Sequence, residues 1–247
     1  MSVGLLIPQW NAPATVRAAC TLRTGGVSVA PFESLNLGVH VGDEAAAVAE
    51  NRRRVRAALA LPGEPLWLEQ VHGTRIANAD TEIEPAPADG ALTRQCGRVL
   101  AIQVADCLPV LFASDDGTVV AAAHAGWRGL AGGVLEEAIA AMRIEARHIR
   151  AWLGPAIGPE HFEVGDEVRE ALLAHDREAV DGFVRNARGR WQCDLPQLAR
   201  RRLERLGLGE VSAAALCTYQ ARDRCFSYRR EPRTGRMAAL IWRTGDP

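Results

Sequence analysis

The chain has 247 residues, 48% of them hydrophobic, and a formal net charge of −1. This length and apolar content suffice for a substantial core, while the near-neutral charge provides no global field that would attract nucleic acid. The sequence shows no long apolar run and no charged-then-apolar leader. We therefore expect a cytoplasmic protein with neither nucleic-acid nor membrane partners, either a monomer or a homodimer.

All 29 basic residues are arginine, because the sequence contains no lysine. A Schiff-base lysine, a lysine general base and the lysine of a phosphate-binding P-loop are thereby excluded. An anionic ligand would have to be bound by arginine side chains, backbone amides or a metal. The six cysteines are scattered and form no C-x-x-C pair, which argues against a zinc ribbon or a thioredoxin-like motif.

The first predicted element is a helix over residues 43–60. Asp43 is expected to cap this helix, and Val48, Val55 and Leu59 form its apolar stripe among arginines.

Four strands are predicted in the following part of the chain. Residues 65–73 indicate a strand that ends at a glycine, and the nearly continuous apolar sequence of residues 98–105 indicates a buried strand. Residues 108–113 and 118–124 are typical of a hairpin around the turn sequence at 115–117.

Three helices and a last strand follow the hairpin. The helices are expected over 130–144, despite two adjacent glycines, over 164–175, and over 195–207, which ends at a glycine. The last strand is expected over 235–243. Because strands and helices do not alternate strictly, we predict a single mixed α/β domain over residues 1–247 and not a doubly wound nucleotide-binding fold.

The predicted hairpin sets the relative position of Cys107 and His124. A turn centred between Asp115 and Asp116 places them directly opposite each other, whereas a turn centred between Asp116 and Gly117 makes them diagonal neighbours. In both registers the two side chains share one face at the open end of the hairpin, within about 4.5–8 Å at their Cβ atoms. A loop longer or shorter by one residue would place them on opposite faces.

A thiolate and an imidazole on one face can bind a metal, form a nucleophilic Cys–His pair, or lie in the core. His72, predicted at the end of a strand, adds a third donor group. One sulfur and two imidazole nitrogens suit zinc, and three protein ligands leave one coordination position open, as in catalytic zinc sites. We therefore predict one Zn²⁺ per chain, bound by His72, Cys107 and His124.

The same donor set also fits a blue-copper centre, which adds a weak axial methionine. The methionines are Met1, Met142 and Met237, and none lies close in sequence to a predicted ligand. Six histidines are too few for a mononuclear and a trinuclear copper cluster together. Copper is therefore kept only as a disfavoured alternative.

Nine segments of the sequence, spread over nearly the whole chain, resemble those of one known family in their order. They are TLRTGGVS, SLNLGVHVGD, AENRRRV, LEQVHG, ADGALT, ADCLPVLF, AAHAGWRG, LGPAIGPEHFEVG and CFSYRREPRTGR. The family is the bacterial polyphenol-oxidase/laccase-domain family, now understood as zinc-dependent purine nucleoside phosphorylases. One departure is Cys225, where the family more often has phenylalanine, and we expect it to alter local packing only.

The resemblance implies a single-domain α/β fold with mixed sheets flanked by helices, related in shape to the catalytic domain of a deamidating bacterial toxin. It also implies phosphorolysis of adenosine, inosine and methylthioadenosine to the base and a sugar 1-phosphate, with adenosine deamination as a second activity. The implied partners are purine nucleosides and phosphate. The family's metal ligands correspond to His72, Cys107 and His124, the same three residues that the spacing indicates.

Roles for other residues follow from this chemistry. For deamination, water activated by the metal would attack C6 of the purine, and Asp106 is the candidate that moves the proton. An equal alternative is that Asp106 orients a ligand or caps a turn.

Phosphate must be bound by arginine in this chain, and four arginines lie in the matched segments: Arg23, Arg52, Arg128 and Arg229. Arg128 is the best placed, because it follows His124 and lies at the start of a predicted helix. We expect two of the four to be functional and the others to be structural or surface residues. Asn36 is a candidate substrate contact, with stabilisation of a turn as the alternative.

Three other functions stay open. In a Cys–His hydrolase or deamidase, Cys107 would be the nucleophile and His124 or His72 the base. The chain could also be a non-catalytic interaction module stabilised by zinc. A copper-dependent polyphenol oxidase is the most disfavoured of the three.

Overall fold

Fourteen strands and five α-helices form the part of the chain that the structure, a computed structural model, describes: residues 2–84 and 86–245. The strands are β1 (Leu5–Leu6), β2 (Val16–Thr21), β3 (Leu66–Trp67), β4 (Ile76–Asn78), β5 (Gly90–Thr93), β6 (Val99–Val104), β7 (Leu108–Ser114), β8 (Val120–Ala125), β9 (Ile149–Leu153), β10 (Glu163–Val164), β11 (Phe183–Arg185), β12 (Trp191–Cys193), β13 (Glu210–Ala213) and β14 (Met237–Arg243). The helices are α1 (Ala45–Ala58), α2 (Trp127–Gly132), α3 (Val134–Met142), α4 (Asp166–Leu173) and α5 (Leu195–Arg205). None of the helices in the described ranges has the length and apolar character that crossing a bilayer requires.

The strands form two large mixed sheets and a small one. The five-stranded sheet has the order β1-β2-β14-β6-β3, in which only β3 and β6 are parallel. The six-stranded sheet has the order β13-β9-β7-β8-β5-β4, with a parallel pair at each edge. The small sheet is antiparallel, with the order β10-β12-β11. The predicted mixed α/β fold is thus confirmed.

Three hydrophobic clusters hold these elements in layers. One cluster lies between the two large sheets and includes Leu100 and Ile102 from β6 with Leu111 and Ala122 from the hairpin. A second covers the opposite face of the six-stranded sheet with helices α2 to α5. The third packs Val55 of α1 on the outer face of the five-stranded sheet. The order of layers is therefore helix, sheet, sheet, helices, and the interface between the sheets is buried from both sides.

The predicted first helix is confirmed as α1, but its predicted cap is wrong. Glu44 precedes the helix, and no side chain caps its first turn. The Asp43 carboxylate accepts hydrogen bonds from Ser28 Oγ at 2.6 Å and Asn36 Nδ2 at 2.9 Å instead. Asp43 therefore joins the two loops before the helix, and its Oδ1 accepts from the N–H of Glu44, the residue that precedes the first turn, at 2.9 Å.

The strand predicted over 65–73 is mostly wrong, because only Leu66–Trp67 pair with β6 and the rest is a loop. The buried strand and the hairpin are confirmed as β6, β7 and β8. Pro109 lies opposite His124, so the turn is centred between Asp116 and Gly117.

The helix predicted over 130–144 is interrupted. Gly133 has a φ of 99°, which ends α2, and α3 begins at the next residue. The helices predicted over 164–175 and 195–207 are confirmed as α4 and α5, each shorter than predicted, and the last strand is confirmed as β14. Gly207 follows the end of α5 with a φ of 79°.

The break at Gly133 predicts a stability change. The Cβ of an alanine at this position would not clash, since the nearest atom is 3.6 Å away. The alanine would, however, have to adopt a positive φ. We expect Gly133→Ala to lower the free energy of unfolding by about 1–2 kcal/mol, measured by urea denaturation. Gly63→Ala is the control, because Gly63 has neither a positive φ nor a close neighbour. An increase in stability, as alanine produces inside a continuous helix, would contradict the break.

Candidate metal centre

His124 is positioned by strand β8 and by a buried carboxylate. Side chains alternate along β8, so His124 shares the face of Ala122, toward the five-stranded sheet. Its side chain is buried, and its Nδ1 lies 2.8 Å from Oδ1 of Asp89. Because the carboxylate accepts a hydrogen bond from Nδ1–H, Nε2 is left as the nitrogen that can bind a metal.

Cys107 immediately precedes β7, on the same face as His124. The pairing of Pro109 with His124 makes Cys107 the diagonal neighbour of that histidine. Cys107 is partly buried and packs against the cluster between the two sheets. The predicted proximity of the two side chains is therefore confirmed, in the second of the two registers considered.

His72 lies in the loop that follows β3 and has an exposed side chain. Its backbone has a φ of 61°, an uncommon conformation for a residue other than glycine. Three consecutive N–H groups of this loop, those of Val71, His72 and Gly73, donate to the Asp89 carboxylate at 2.6 to 3.1 Å. The loop therefore folds around the same carboxylate that orients His124.

Asp89 is a residue of this centre that the sequence pattern did not single out. It is fully buried, and its two oxygens accept from the three amide groups of the loop and from His124. A metal-bound histidine commonly donates its other ring N–H to such a carboxylate. The available signal was the segment ADGALT, in which Asp89 immediately precedes β5.

The three donor atoms converge as a metal site requires. The ligand atoms of His72, Cys107 and His124 lie within 4.8 Å of one another. The distance between Cys107 Sγ and His72 Nε2 is 3.9 Å, close to the about 3.5 Å that two such ligands have around a tetrahedral zinc. A Cβ at Gly126 would lie 3.0 Å from the Cys107 sulfur and 3.2 Å from the His72 ring, so glycine keeps this space open. The residues fit a metal ion.

The electrostatics favour the metal-binding form of the sulfur. Burial opposes ionisation of the Cys107 thiol, but the His124 and His72 imidazoles outweigh it and lower its pKa to about 6. Burial likewise opposes protonation of His124, yet the Cys107 sulfur and the Asp89 carboxylate raise the pKa of this histidine to about 9. The lowered pKa favours the thiolate form of Cys107, which is the form that binds a metal.

Asp106 lies beside Cys107, but its carboxylate faces another part of the chain. Its oxygens accept from Thr218 Oγ1 at 2.6 Å, Ser227 Oγ at 3.0 Å and the Arg229 N–H at 2.7 Å. Its backbone has a φ of 91°. These contacts support the orienting role among the two alternatives, since they hold the residue before Cys107 against two distant segments. The role of Asp106 in proton transfer stays a prediction.

The four predicted arginines differ in how much of the guanidinium is already bound. Arg128 and Arg229 are exposed, each near an aromatic ring, and Arg229 also donates to the Glu163 carbonyl. Arg23 donates to the carbonyls of Glu33 and Arg222. Arg52 donates to the Leu37 carbonyl. Their roles in phosphate binding stay predictions.

Asn36 is fully buried, and its side-chain amide is saturated within the protein. The Nδ2 group donates to the Gly38 carbonyl and to Asp43, while Oδ1 accepts from the N–H groups of Gly38 and Arg236. These four contacts support the turn-stabilising alternative. A substrate contact of Asn36 stays a prediction.

The chain resembles known proteins over nearly its full length. A family model described as "Multi-copper polyphenol oxidoreductase laccase" matches residues 17–244. The purine nucleoside phosphorylase YfiH of Escherichia coli is 48% identical over 239 residues, 96% of this chain and 98% of that protein. A purine nucleoside phosphorylase of Pseudomonas aeruginosa is 50% identical over 238 residues, 96% of this chain and 97% of that protein. The crystal structure of a Neisseria meningitidis protein superposes with a TM-score of 0.94 at 46% identity, covering 98% of this chain and all of that one.

The position of Asp89 predicts its effect on metal affinity. Asp89→Asn replaces one acceptor oxygen by an NH₂ group and removes the charge that orients His124. We expect metal affinity to fall about 10- to 100-fold, measured by competition with a chelator for added Zn²⁺.

Asp116→Asn is the matched control, since Asp116 also accepts several hydrogen bonds but lies in the turn at the other end of the hairpin. Equal metal affinity in Asp89→Asn and the unaltered protein would contradict the role of Asp89 in the metal centre. Circular dichroism of both variants checks that the fold is retained.

Proposed function

The chain belongs to the family described as multi-copper polyphenol oxidoreductase laccase, and from this premise we propose that it is a metal-dependent purine nucleoside phosphorylase. The observation that carries the proposal is the convergence of His72, Cys107 and His124 at an accessible edge between the two sheets, in a chain whose relatives bear that enzyme name. The substrates we propose are adenosine, inosine and methylthioadenosine, with adenosine deamination as a second reaction.

We propose Zn²⁺ as the metal. One thiolate and two imidazoles suit zinc, and three protein ligands leave a position open to a small molecule. Among the described residues, these three form the single cluster of histidine, cysteine or acidic side chains with metal-binding geometry. A multi-copper oxidase needs more copper ligands than one such cluster supplies.

In phosphorolysis, a phosphate oxygen forms a bond to C1′ of the sugar while the bond from C1′ to the purine nitrogen breaks. The purine takes up a proton, and the sugar leaves as the 1-phosphate. When bound, the metal would supply positive charge that polarises a substrate group. The protein orients the ligands through Asp89, keeps space at Gly126, and must offset the charge of the phosphate with arginine.

A Cys–His hydrolase is the second candidate, and two observations favour it. The lowered pKa of Cys107 and the histidine nitrogen 3.9 Å from its sulfur are also features of a cysteine nucleophile. The two functions differ in whether the metal is needed. In the hydrolase, metal-free protein is active and alkylation of Cys107 by iodoacetamide abolishes that activity, whereas in the phosphorylase, removal of the metal abolishes it.

The decisive experiment incubates metal-loaded protein with inosine, with and without inorganic phosphate. We expect hypoxanthine to be released, together with ribose 1-phosphate, only when phosphate is present. Chromatography of the products measures both compounds. Absence of hypoxanthine under both conditions, in protein with a full complement of metal, would refute the proposal.

A substitution of Cys107 tests the metal assignment. We expect Cys107→Ala to lose most of its zinc in elemental analysis and its phosphorolytic activity, because the thiolate is one of three ligands. Cys96→Ala is the control, since Cys96 is an exposed thiol outside the cluster. Zinc retained at full stoichiometry in Cys107→Ala would contradict the assignment.

A further inference from the structure

Arg236 immediately precedes β14, at the end of the five-stranded sheet where β6 leads to Cys107, although it is not among the residues that the sequence analysis selected. Met237, the first residue of β14, pairs with Val104 of β6. One further step along this antiparallel ladder places Arg236 opposite Ala105, two residues before Cys107. The side chain is partly buried, and burial lowers the pKa of Arg236, against the opposing negative charges of Cys107 and Asp106.

The backbone and stem of Arg236 are held firmly. Its N–H donates to Asn36 Oδ1 at 2.8 Å, and its carbonyl accepts from the Leu37 N–H at 3.1 Å. A Cβ at Gly38 would lie 2.8 Å from its Cγ, so the loop passes directly over the aliphatic part of the side chain. This arrangement fixes the direction of the guanidinium before any ligand binds.

The guanidinium itself is only partly satisfied. Its Nη1 donates to the carbonyls of Thr234 and Gly235, both at 3.1 Å. Among residues 2–84 and 86–245, its Nε and Nη2 have no acceptor, and no carboxylate lies within ion-pair distance. Neither nitrogen is among the fully buried polar atoms that lack a partner, so both are open to solvent and to a ligand. Two parallel N–H donors of one guanidinium match two oxygens of a phosphate.

Two more basic side chains adjoin Arg236. Arg52 donates from Nε and Nη2 to the Leu37 carbonyl at 3.1 and 2.9 Å. Its guanidinium carbon lies 3.9 Å from the centre of the Trp67 ring. Burial and the charges of Arg236 and Arg52 together lower the pKa of His40. Glu64 is the acidic group that acts on Arg52, and it pairs with Arg56 at 3.2 Å. The segment from Leu37 to His40 is thus flanked by two arginines.

We propose that Arg236, supported by Arg52 and His40, forms an anion subsite beside the metal centre, and that this subsite binds the phosphate used in phosphorolysis. Arg236 donates from Nε and Nη2, and the other two side chains add positive potential and a ring N–H. Arg236 is a binding residue, and Arg52 positions the loop. The proposal rests on the proposed function for the identity of the anion, while the subsite itself follows from the unpartnered guanidinium.

The experiment compares Arg236→Gln with the unaltered protein, both loaded with Zn²⁺. Inorganic phosphate is the probe, and its dissociation constant is measured from the rise in Tm with phosphate concentration. We expect the constant to rise about tenfold or more in Arg236→Gln, because a charge-assisted pair of hydrogen bonds is lost. In activity assays, we expect the KM for phosphate to rise about as much while the KM for inosine changes less than about threefold.

Two further variants make the result specific. Arg147→Gln is the matched control, since Arg147 is an exposed arginine paired with Glu145, and we expect its phosphate binding to be unchanged. Arg236→Lys retains the charge without the fork and should give an intermediate loss. This variant also tests the proposal if Arg236→Gln fails to fold. Ribose 1-phosphate as a second probe shows whether the same subsite holds the phosphoryl group of the product.

Phosphate affinity of Arg236→Gln within about twofold of the unaltered protein would overturn the proposal. So would a loss of zinc from Arg236→Gln that accounts for the whole defect, because Arg236 would then only support the Cys107 thiolate. Failure of the subsite proposal and failure of the proposed function give different results. Phosphate binding that depends on Arg236 without any hypoxanthine release supports the subsite and refutes the phosphorylase. Phosphorolysis that is unchanged in Arg236→Gln supports the phosphorylase and refutes the subsite.

Discussion

The metal centre depends on one buried carboxylate. Asp89 receives four hydrogen bonds, three from the loop that carries His72 and one from His124. A fully buried carboxylate without such partners would be strongly unfavourable, so the loop and the histidine ring are held in the arrangement that satisfies it. Two of the three metal ligands are therefore positioned by one side chain before a metal binds.

The third ligand is positioned by the sheet. The alternation of side chains along β7 and β8 places Cys107 and His124 on the face between the two sheets. Both lie at the open end of the hairpin, where the sheet stops and the chain turns into α2. At this point Gly126 leaves room beside the sulfur. A pleated hairpin and one missing side chain thus create a metal site at the edge of an otherwise close-packed interface.

Because the sequence contains no lysine, arginine is the residue that supplies permanent positive charge. Arg23 and Arg52 use their guanidinium groups to bind backbone carbonyls and so hold loops in place. Arg236 differs because part of its guanidinium has no acceptor among the described residues. The strand register places it opposite Ala105, two residues before the thiolate ligand, so a cation and the metal site lie at the same end of the five-stranded sheet. This combination suits a reaction in which a phosphate approaches a polarised substrate.

Local periodicity determined a large part of the fold from the sequence. The strands β6, β7, β8 and β14 and the proximity of Cys107 to His124 all follow from apolar patterns and from a turn of known length. The break at Gly133 and the loop after β3 did not follow, because the preference of a short segment is overridden by its tertiary contacts.

The remaining features of the site were decided by tertiary structure alone. Asp89 is 35 residues from His124 in sequence, and no period along the chain relates them. Asp106 meets Thr218, and Arg236 meets Asn36, across even longer separations. A sequence pattern reports which side chains share a face of one element. The burial of a carboxylate and the lack of a partner for a cation arise only when distant elements pack, and these two properties define the site.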